Sequence, residues 1–394
     1  MMKNKEKLTW GLMLTLAVST GLSNANIYYS QPLLGLIDQT FESNIVNFIP
    51  AVTQLGFALG LLLLVPLGDT VDRRRLILWQ TVGMSLALIA AALAPSPIVL
   101  VVVFIVVGAT ATIAQQIIPL AAELAQPEER GRVVGTVMSG LLSGILLART
   151  LSGLVGEYYG WRTVYYLAVT FAVIMGIMLS ISLPRRQPEK TYSYKQLMIS
   201  LVQFTRSYPR LQQAIVIQGT LFAGFSAFWT TLSLLLQGEP YYLGSDVAGL
   251  YGILGLVGVL VAPVAGQIAD KRGPSNVISC SVLLVLASFI IFALLPTLFG
   301  IGVGVLLLDM GVQMAMVSNQ SIIFALEPSA RSRINTIYMT GLFFLGAIGS
   351  ALGSAMWSWK QWLGVCYLGM GFAIVSLLVH FLCYQREQKE GRIS

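Results

Sequence analysis

Long apolar stretches without a charged residue recur along this chain of 394 residues. About 20 mostly apolar residues suffice for a helix to cross a bilayer. The uncharged run from Leu8 to Ile37 is too long for the apolar part of a signal peptide, so we expect an uncleaved first span there. Proline breaks the helical hydrogen-bond ladder, and Pro95 and Pro296 each split a longer stretch. The sequence therefore predicts twelve spans: 8–30, 46–67, 76–94, 97–121, 133–157, 163–183, 211–237, 247–268, 275–295, 298–321, 335–357 and 361–384.

The composition agrees with a polytopic, all-α membrane protein. Hydrophobic residues make up 56% and charged residues 10% of the chain, whereas a soluble globular protein has about 45–50% and about 25%. So few charges cannot cover a soluble particle, and disordered, collagen-like, coiled-coil and disulfide-framework classes are excluded as well. Three scattered cysteines and one histidine give no metal-ligand spacing, so we expect no metal and no cofactor.

The placement of lysine and arginine predicts the orientation. Only Arg162 and Lys360 fall in loops on one predicted side, and Arg149 falls inside a span. Every other lysine and arginine falls on the opposite side. Because cytoplasmic loops are rich in these residues, both termini are predicted to be cytoplasmic, in a multi-pass protein of the inner or plasma membrane. The net charge of +7 then requires no nucleic acid partner.

The chain repeats one design twice. A hydrophilic stretch at 185–210, which favours an amphipathic surface helix, separates a half of six spans at 1–184 from another at 211–394. G-x-x-x-D-R/K-R follows spans 2 and 8, and P-x-x-R-x-R follows spans 4 and 10, at offsets of 198 and 201 residues. The loop residues concerned are Gly68, Asp72, Arg73, Arg130 and Arg132, then Gly266, Asp270, Lys271, Arg331 and Arg333. The second offset also pairs Gly140 with Gly341, which indicates duplication.

In these features the chain resembles the major facilitator superfamily over essentially its whole length, and in detail the bacterial twelve-span drug:proton antiporter-like members. The loop at 68–75 is similar to the superfamily's G-x-x-x-D-R-x-G-R-R loop, without its internal glycine. The stretches NIYYSQPLL at 26–34 and AELAQPEERG at 122–131 resemble exporters of that group. In span 5, Arg149 stands where the group's G-x-x-x-G-P-x-x-G-G pattern has proline. The resemblance implies two six-helix bundles, alternating access and a cavity lined by spans 1, 4, 7 and 10.

Two charged residues lie near the middle of predicted spans, Arg149 in span 5 and Asp309 in span 10. A lone charge there costs at least about 2.5–3.5 kcal/mol, so such residues face a cavity or a partner. Asp309 could carry a proton, contact a cationic substrate or pair with Arg149. Arg149 could hold an anionic substrate or pair with Asp309. The residue types alone leave these alternatives open.

Uncharged polar and aromatic side chains in the spans are candidates for the cavity wall, because amides and phenols can hydrogen-bond a substrate. The alternative is hydrogen bonding between helices, worth about 0.6 kcal/mol on average. The candidates are Asn24, Asn26, Tyr28, Tyr29, Gln54, Gln115, Gln116, Gln218, Trp229, Gln313 and Asn319, together with Gln31 and Gln320.

The repeated loop residues lie at cytoplasmic span ends and need a different role. The resemblance implies a cytoplasmic latch whose ion pairs stabilise the outward-facing state, formed by Asp72 and Arg73 with Asp270 and Lys271. The four arginines at 130, 132, 331 and 333 are candidate partners by position, and plain positive-inside topology is the alternative. Glu123 and His380 are interpreted as solvated residues near span ends.

These features predict a secondary transporter that exports a small organic molecule, a drug-like compound or metabolite, in exchange for protons. The motif G-x-x-x-x-G-K-S/T is absent from the sequence, so ATP drive within this chain is unsupported. The first alternative is a facilitator or importer of an anionic or zwitterionic solute, and a remote one is a transporter-like receptor without net flux. No enzyme is expected. We expect a monomer whose partners are the solute, protons and the bilayer.

Overall fold

The computed structural model describes residues 9–126, 129–184, 193–327 and 330–390, with backbone alone at 256–259, 262, 263, 270, 272 and 383–390. Within these ranges the regular elements are helices. The chain divides into two compact units, Met1–Met198 and Ile199–Ser394.

The first unit contains α1 (Trp10–Ala25), α2 (Ser30–Phe41), α3 (Ile49–Leu63), α4 (Arg73–Ala92), α5 (Pro97–Thr110), α6 (Ile113–Leu124), α7 (Arg130–Tyr159) and α8 (Trp161–Ser182), with 3-10 helices at Asn44–Phe48 and Pro66–Asp69. Within the predicted linker lies α9 (Tyr194–Ser207). The second unit contains α10 (Pro209–Gln237), α11 (Ser245–Leu254), α12 (Leu256–Arg272), α13 (Pro274–Leu294), α14 (Leu298–Leu326) and α15 (Arg331–Glu390).

The helices fit the twelve predicted spans. Among the described residues, nine helical stretches are long and apolar enough to cross a membrane. One of them, Arg331–Leu382, holds predicted spans 11 and 12, and its backbone leaves the helical conformation at Lys360 and Gln361. Predicted span 1, at 8–30, ends where α2 begins, so α1 and the turn lie inside it and α2 continues to Phe41. Predicted span 8 corresponds to α11 and α12, with an interruption between the two helices. The all-helical fold class is therefore confirmed.

Local sequence signals explain where several helices begin. The Ser96 hydroxyl accepts a bond from the Val99 amide at the start of α5, with Pro97 at the first helical position. The Thr297 hydroxyl caps α14 in the same way through the Gly300 amide, at 3.1 Å. A capping hydroxyl satisfies an amide that has no partner inside the helix. The two predicted proline breaks are thus found as helix boundaries.

The duplication seen in the sequence is repeated in the packing inside each unit. In the first unit α1 packs on α7, α3 on α5 and α4 on α8. In the second unit the corresponding pairs are α10 on α15, α12 on α14 and α13 on α15. Each unit therefore folds around the same three helix pairings.

Small residues bring the first of these pairs together. Gly140 of α7 lies against the backbone of Ala17 in α1, and Gly341 lies against Ile215 in the second unit. Ala17 and Ile215 are 198 residues apart, so both units pair the same positions, although Gly341 meets the side chain of Ile215 and Gly140 the backbone of Ala17. Glycine lets two helix backbones approach where a side chain would keep them apart.

Candidate functional site

Arg149 lies inside the helix bundle of the first unit. Its side chain on α7 is 2% exposed. The Nε atom donates a hydrogen bond of 2.9 Å to Oε1 of Gln31, in the first turn of α2. The guanidinium carbon lies 4.9 Å from the centroid of the Tyr28 ring, close enough for a cation–π interaction. Three predicted site residues from two distant parts of the sequence therefore meet here.

The interruption between α1 and α2 positions Tyr28 and Gln31. Asn26 follows the last residue of α1, and its side-chain amide donates to the carbonyls of Leu22, at 2.8 Å, and Ser23, at 3.2 Å. These bonds satisfy carbonyls that a continuing helix would have bonded. The chain then makes a short turn before α2 begins at Ser30. This turn separates Tyr28 from a continuous helix and places it against Arg149.

The second unit has no guanidinium at the equivalent position. The residue 201 positions after Arg149 is Ser350, which is buried and lies 2.7 Å from the Thr230 hydroxyl. The residues 198 positions after Tyr28 and Gln31 are Ser226 and Trp229. The helix pair that carries Arg149 in one unit therefore packs through a neutral hydroxyl pair in the other.

Asp309 lies in the spanning helix α14 and is half-buried, as is Gln313 one turn later. The residue 201 positions earlier is Gly108, where an added Cβ would collide with the carbonyl of Thr53. Helix α14 therefore carries a carboxylate at a position where its counterpart in the first unit, α5, packs tightly against the backbone of α3. The predicted pairing of Asp309 with Arg149 joins residues of different units and stays a prediction.

Several predicted cavity residues make hydrogen bonds between helices of one unit. Gln218 of α10 donates to the carbonyl of Val312 in α14, at 3.1 Å. In the first unit, the carbonyl of Ala111, which lies 201 positions before Val312, accepts a hydrogen bond from the Ser23 hydroxyl at 2.8 Å. Asn319 of α14 donates to Oε1 of Gln218, at 3.5 Å, and to the carbonyl of Ala315 in its own helix, at 3.0 Å. The bonds of Gln218 and Asn319 therefore join α10 to α14, which is the alternative that the sequence left open.

The remaining candidates for the cavity wall are buried or half-buried side chains. Trp229 is buried and lies at an edge-on angle to Phe228, with ring centroids 5.4 Å apart. Asn24, Tyr29 and Gln54 are buried, and Gln115 is half-buried. Their roles in substrate binding stay predictions.

His380 is 8% exposed and shares a hydrogen bond of 2.9 Å with Ser279, so its interpretation as a solvated residue was wrong.

A cluster of ions lies at the predicted cytoplasmic end of the first unit. Arg73, at the start of α4, forms ion pairs with Asp69, at 2.8 Å, and with Glu123 of α6, at 2.6 Å. Its Nε also donates to the carbonyl of Gly68, at 3.1 Å. We call Asp69, Arg73 and Glu123 the Arg73 cluster. It ties together the ends of three neighbouring helical segments.

Gly68 packs closely against the side-chain amide of Gln116. Gln116 of α6 donates to the carbonyls of Leu64, at 2.9 Å, and Val65, at 3.2 Å. An added Cβ at Gly68 would collide with Oε1 of the same amide. At Gly266, the counterpart in the second unit, the nearest atom of the described residues to such a Cβ would be Cγ1 of Val317, at an ordinary 3.7 Å.

The remaining loop residues have separate surroundings. Asp72 caps α4 by accepting from the Arg74 amide, at 3.0 Å. Arg132 lies over the Trp10 ring and Arg333 over the Phe204 ring. Arg331 donates to the carbonyl of Phe324. Arg130 and Lys271 are exposed, and the side chain of Asp270 lies outside the described residues.

Sequence reasoning did not assign ion pairs to Asp69 and Glu123. Asp69 precedes Arg73 by only four residues, so this pair is close along the chain, although Asp69 ends a 3-10 helix and Arg73 begins α4. Glu123 is 50 residues from Arg73, and only the packing of α4 and α6 brings them together.

Comparison with known proteins gives the family. The family model of the Major Facilitator Superfamily matches residues 13–327. An uncharacterized transporter of Escherichia coli O157:H7, YgaY, is 37% identical over 98% of this chain and 99% of its own length. A probable transporter of Streptomyces coelicolor is 33% identical over 89% of this chain and 82% of its own length.

Solved structures share the fold. A bacterial homolog of the human lysosomal transporter Spinster, in an inward-facing and unoccupied conformation, covers 94% of this chain and 96% of its own, with a TM-score of 0.76 and 14% identity. The nucleoside transporter NupG, solved as a point mutant, also gives a TM-score of 0.76 over 94% of this chain and 99% of its own, at 14% identity. The chain is therefore a multi-pass membrane transporter that belongs to the Major Facilitator Superfamily.

Proposed function

We propose that this transporter exports a small organic molecule, a drug-like compound or metabolite, in exchange for protons by alternating access. The observation that carries the proposal is Asp309, a half-buried carboxylate in the spanning helix α14. Carboxylates inside spans form proton relays in pumps and transporters, because they can lose their charge by taking up a proton. The absence of a nucleotide-binding motif from the sequence leaves an ion gradient, or no energy source, to drive transport.

The comparison between repeats supports a special role for Asp309. Its counterpart, Gly108, serves close packing against the backbone of α3. A carboxylate at the same position costs free energy inside a membrane, and packing does not require it. We therefore assign Asp309 the proton that drives transport.

We assign the Arg73 cluster to gating at the predicted cytoplasmic side. Arg73 holds Asp69 and Glu123 at once, so it links the 3-10 helix Pro66–Asp69, α4 and α6. The two carboxylates are open to water although the Arg73 side chain is 19% exposed, and ion pairs with such access to water are worth only about 0.2–1 kcal/mol each. Such weak contacts can be broken and remade during a transport cycle.

The test of antiport uses acidified inverted vesicles with an internal pH-sensitive dye. Drug-like compounds and metabolites are added to vesicles that contain the wild type, Asp309→Asn or no transporter. A solute that dissipates the gradient with wild type, and not with Asp309→Asn or without transporter, supports proton-coupled export, because the predicted cytoplasmic face points outward in these vesicles. Asp246→Asn is the matched control, since it removes a half-buried carboxylate from the first turn of α11. Full activity of Asp309→Asn at several pH values would exclude Asp309 as the coupling residue.

The second candidate function is a facilitator or importer of an anionic or zwitterionic solute, and buried Arg149 favours it. Labelled-solute uptake without any proton gradient separates the two. A facilitator equilibrates the solute at the same rate in wild type and Asp309→Asn, whereas an antiporter needs the gradient and the carboxyl group.

A further inference from the structure

We propose that the linker helix α9 lies on the predicted cytoplasmic surface of the membrane and binds the headgroups of anionic phospholipids. The binding residues share one exposed face of this helix, and we call them the α9 stripe: Lys195, Ile199, Val202 and Arg206. The inference concerns the membrane partner of the transporter, so it depends neither on the identity of the solute nor on proton coupling.

The geometry of an α-helix places the α9 stripe on one face. Its members follow one another at intervals of four, three and four residues, and residues three or four apart are neighbours on a helix surface. All four side chains are exposed, Ile199 to 46% and Val202 to 52%. Because the four residues lie on a single helix, their arrangement depends only on α9 itself.

The opposite face of α9 packs against the protein. Leu197 and Leu201 are only 5% and 4% exposed, so they attach the helix through apolar contacts. Ile199 and Val202 are not needed for this attachment, since they point away from the buried face. The helix therefore has a second apolar surface, flanked by a lysine and an arginine, that the packing of the protein does not explain.

A hydrogen bond places the start of α9 at the edge of the membrane. The Tyr194 hydroxyl donates to the carbonyl of Leu63, at 3.1 Å. Leu63 is the last residue of α3 and belongs to the membrane-spanning stretch Asn44–Asp69, and it is 44% exposed. An exposed leucine on a spanning helix contacts lipid, and tyrosine is enriched where lipid meets water. The first turn of α9 therefore lies at the level where α3 leaves the bilayer.

The chemistry of the α9 stripe matches a bilayer with negative headgroups. In helices that lie in the interface, aliphatic side chains enter the acyl region, and long basic side chains reach back to the headgroups. Ile199 and Val202 suit the first role, and Lys195 and Arg206 suit the second. The sequence has no aspartate or glutamate between Thr191 and Gly238, so no acid in this part of the chain offsets the two charges.

An anionic phospholipid supplies both parts of the expected partner. Its phosphate and its negative headgroup attract the two cations, and its acyl chains receive the two aliphatic side chains. An acidic protein could meet the cations as well, but the contact between Tyr194 and Leu63 places the helix beside lipid. The observations therefore favour the membrane as the partner of α9.

The test identifies the lipids next to α9. Val202→Cys is introduced into a full-length variant whose three native cysteines are replaced by alanine, and the new thiol carries a nitrobenzoxadiazole fluorophore. The labelled transporter is reconstituted into vesicles of phosphatidylcholine and phosphatidylglycerol, in which one lipid or the other carries a nitroxide quencher on its acyl chain. The quenching by each lipid, at equal quencher content, measures how often that lipid lies beside the label.

Phosphatidylglycerol should be enriched about fivefold or more beside the label at low salt, because each basic residue near the surface favours an anionic lipid by about that factor. Added salt should reduce the enrichment, since it screens exposed charges. Lys195→Gln combined with Arg206→Gln should bring the ratio of the two lipids to about one, while both lipids still quench the label.

Arg130→Gln combined with Lys271→Gln is the matched control. It removes two exposed basic residues from the predicted cytoplasmic side outside α9, so the enrichment should stay unchanged. If neither lipid quenches the label, the α9 stripe faces water, and a protein partner replaces the membrane. Equal quenching by the two lipids before any charge is removed, or an equal loss of enrichment with both pairs of variants, would also overturn the inference. Neither a solute nor a gradient is present, so this result and the test of antiport can fail separately.

Discussion

Arg73 and Glu123 are 50 residues apart in the sequence, and their side chains form an ion pair of 2.6 Å between the start of α4 and the end of α6. Arg73 holds Asp69 with another nitrogen of the same guanidinium. The acidic side chains are 44% and 51% exposed. The Arg73 cluster therefore joins three helical segments through contacts that water can reach.

Glu123→Gln should change transport more than it changes stability. The exposed ion pair contributes about 0.2–1 kcal/mol at most, so the melting temperature should fall by only a few degrees. Transport should slow several-fold, because the gating contact is weakened. Solute flux in vesicles and thermal unfolding in detergent measure the two effects. Glu129→Gln removes an exposed carboxylate at the start of α7 and serves as the control. A large loss of stability without a change in flux would give the cluster a purely structural role.

Gly68→Ala and Gly266→Ala should differ although the two glycines are repeats of each other. The new methyl group at Gly68 collides with the Gln116 amide, which must give up its bonds to Leu64 and Val65. We expect a loss of about 1–3 kcal/mol. At Gly266, inside α12, the methyl group meets Val317 at an ordinary distance among the described residues, and the helix gains about 0.5–1 kcal/mol from alanine. Thermal unfolding measured in parallel tests this, and equal shifts would contradict the packing described for Gln116.

Ser23→Ala should destabilise the first unit more than Ser85→Ala. The Ser23 hydroxyl bonds the carbonyl of Ala111 in another helix, at 2.8 Å, whereas Ser85 bonds Thr81 within its own helix, at 2.9 Å. Hydrogen bonds between spanning helices average about 0.6 kcal/mol, so a shift of this size is expected for Ser23 alone. Unfolding in mixed micelles provides the free energies. Equal free energies of unfolding for the two variants would contradict the role of Ser23 in joining the two helices.

Arg149→Ser and Ser350→Arg should have opposite consequences for folding. The first variant reproduces the neutral arrangement of the second unit, so the protein should be produced and should unfold cooperatively. The second variant forces a charge into a position that is fully buried beside Thr230, at a cost of at least about 2.5–3.5 kcal/mol. Yield of monodisperse protein in size-exclusion chromatography distinguishes them. Poor yield of Arg149→Ser together with good yield of Ser350→Arg would refute the comparison between repeats.

The sequence by itself determined the class, the family and the duplication of this protein. Apolar stretches, proline positions and capping residues such as Ser96 act over a few neighbouring residues, so they can be read along the chain. Arg149 and Asp309 were identified because a charge within an apolar run is costly wherever it packs.

Only the tertiary structure decided which partners these residues meet. Gln31 contacts Arg149 across 118 residues and Glu123 contacts Arg73 across 50, and no local pattern encodes either pair. The break in the first span, which positions Tyr28, depends on side-chain bonds from Asn26 to its own helix end. The sequence determines which face of each helix is polar. The partner of a side chain depends on how the helices pack, because small residues such as Gly140 determine how closely two backbones approach.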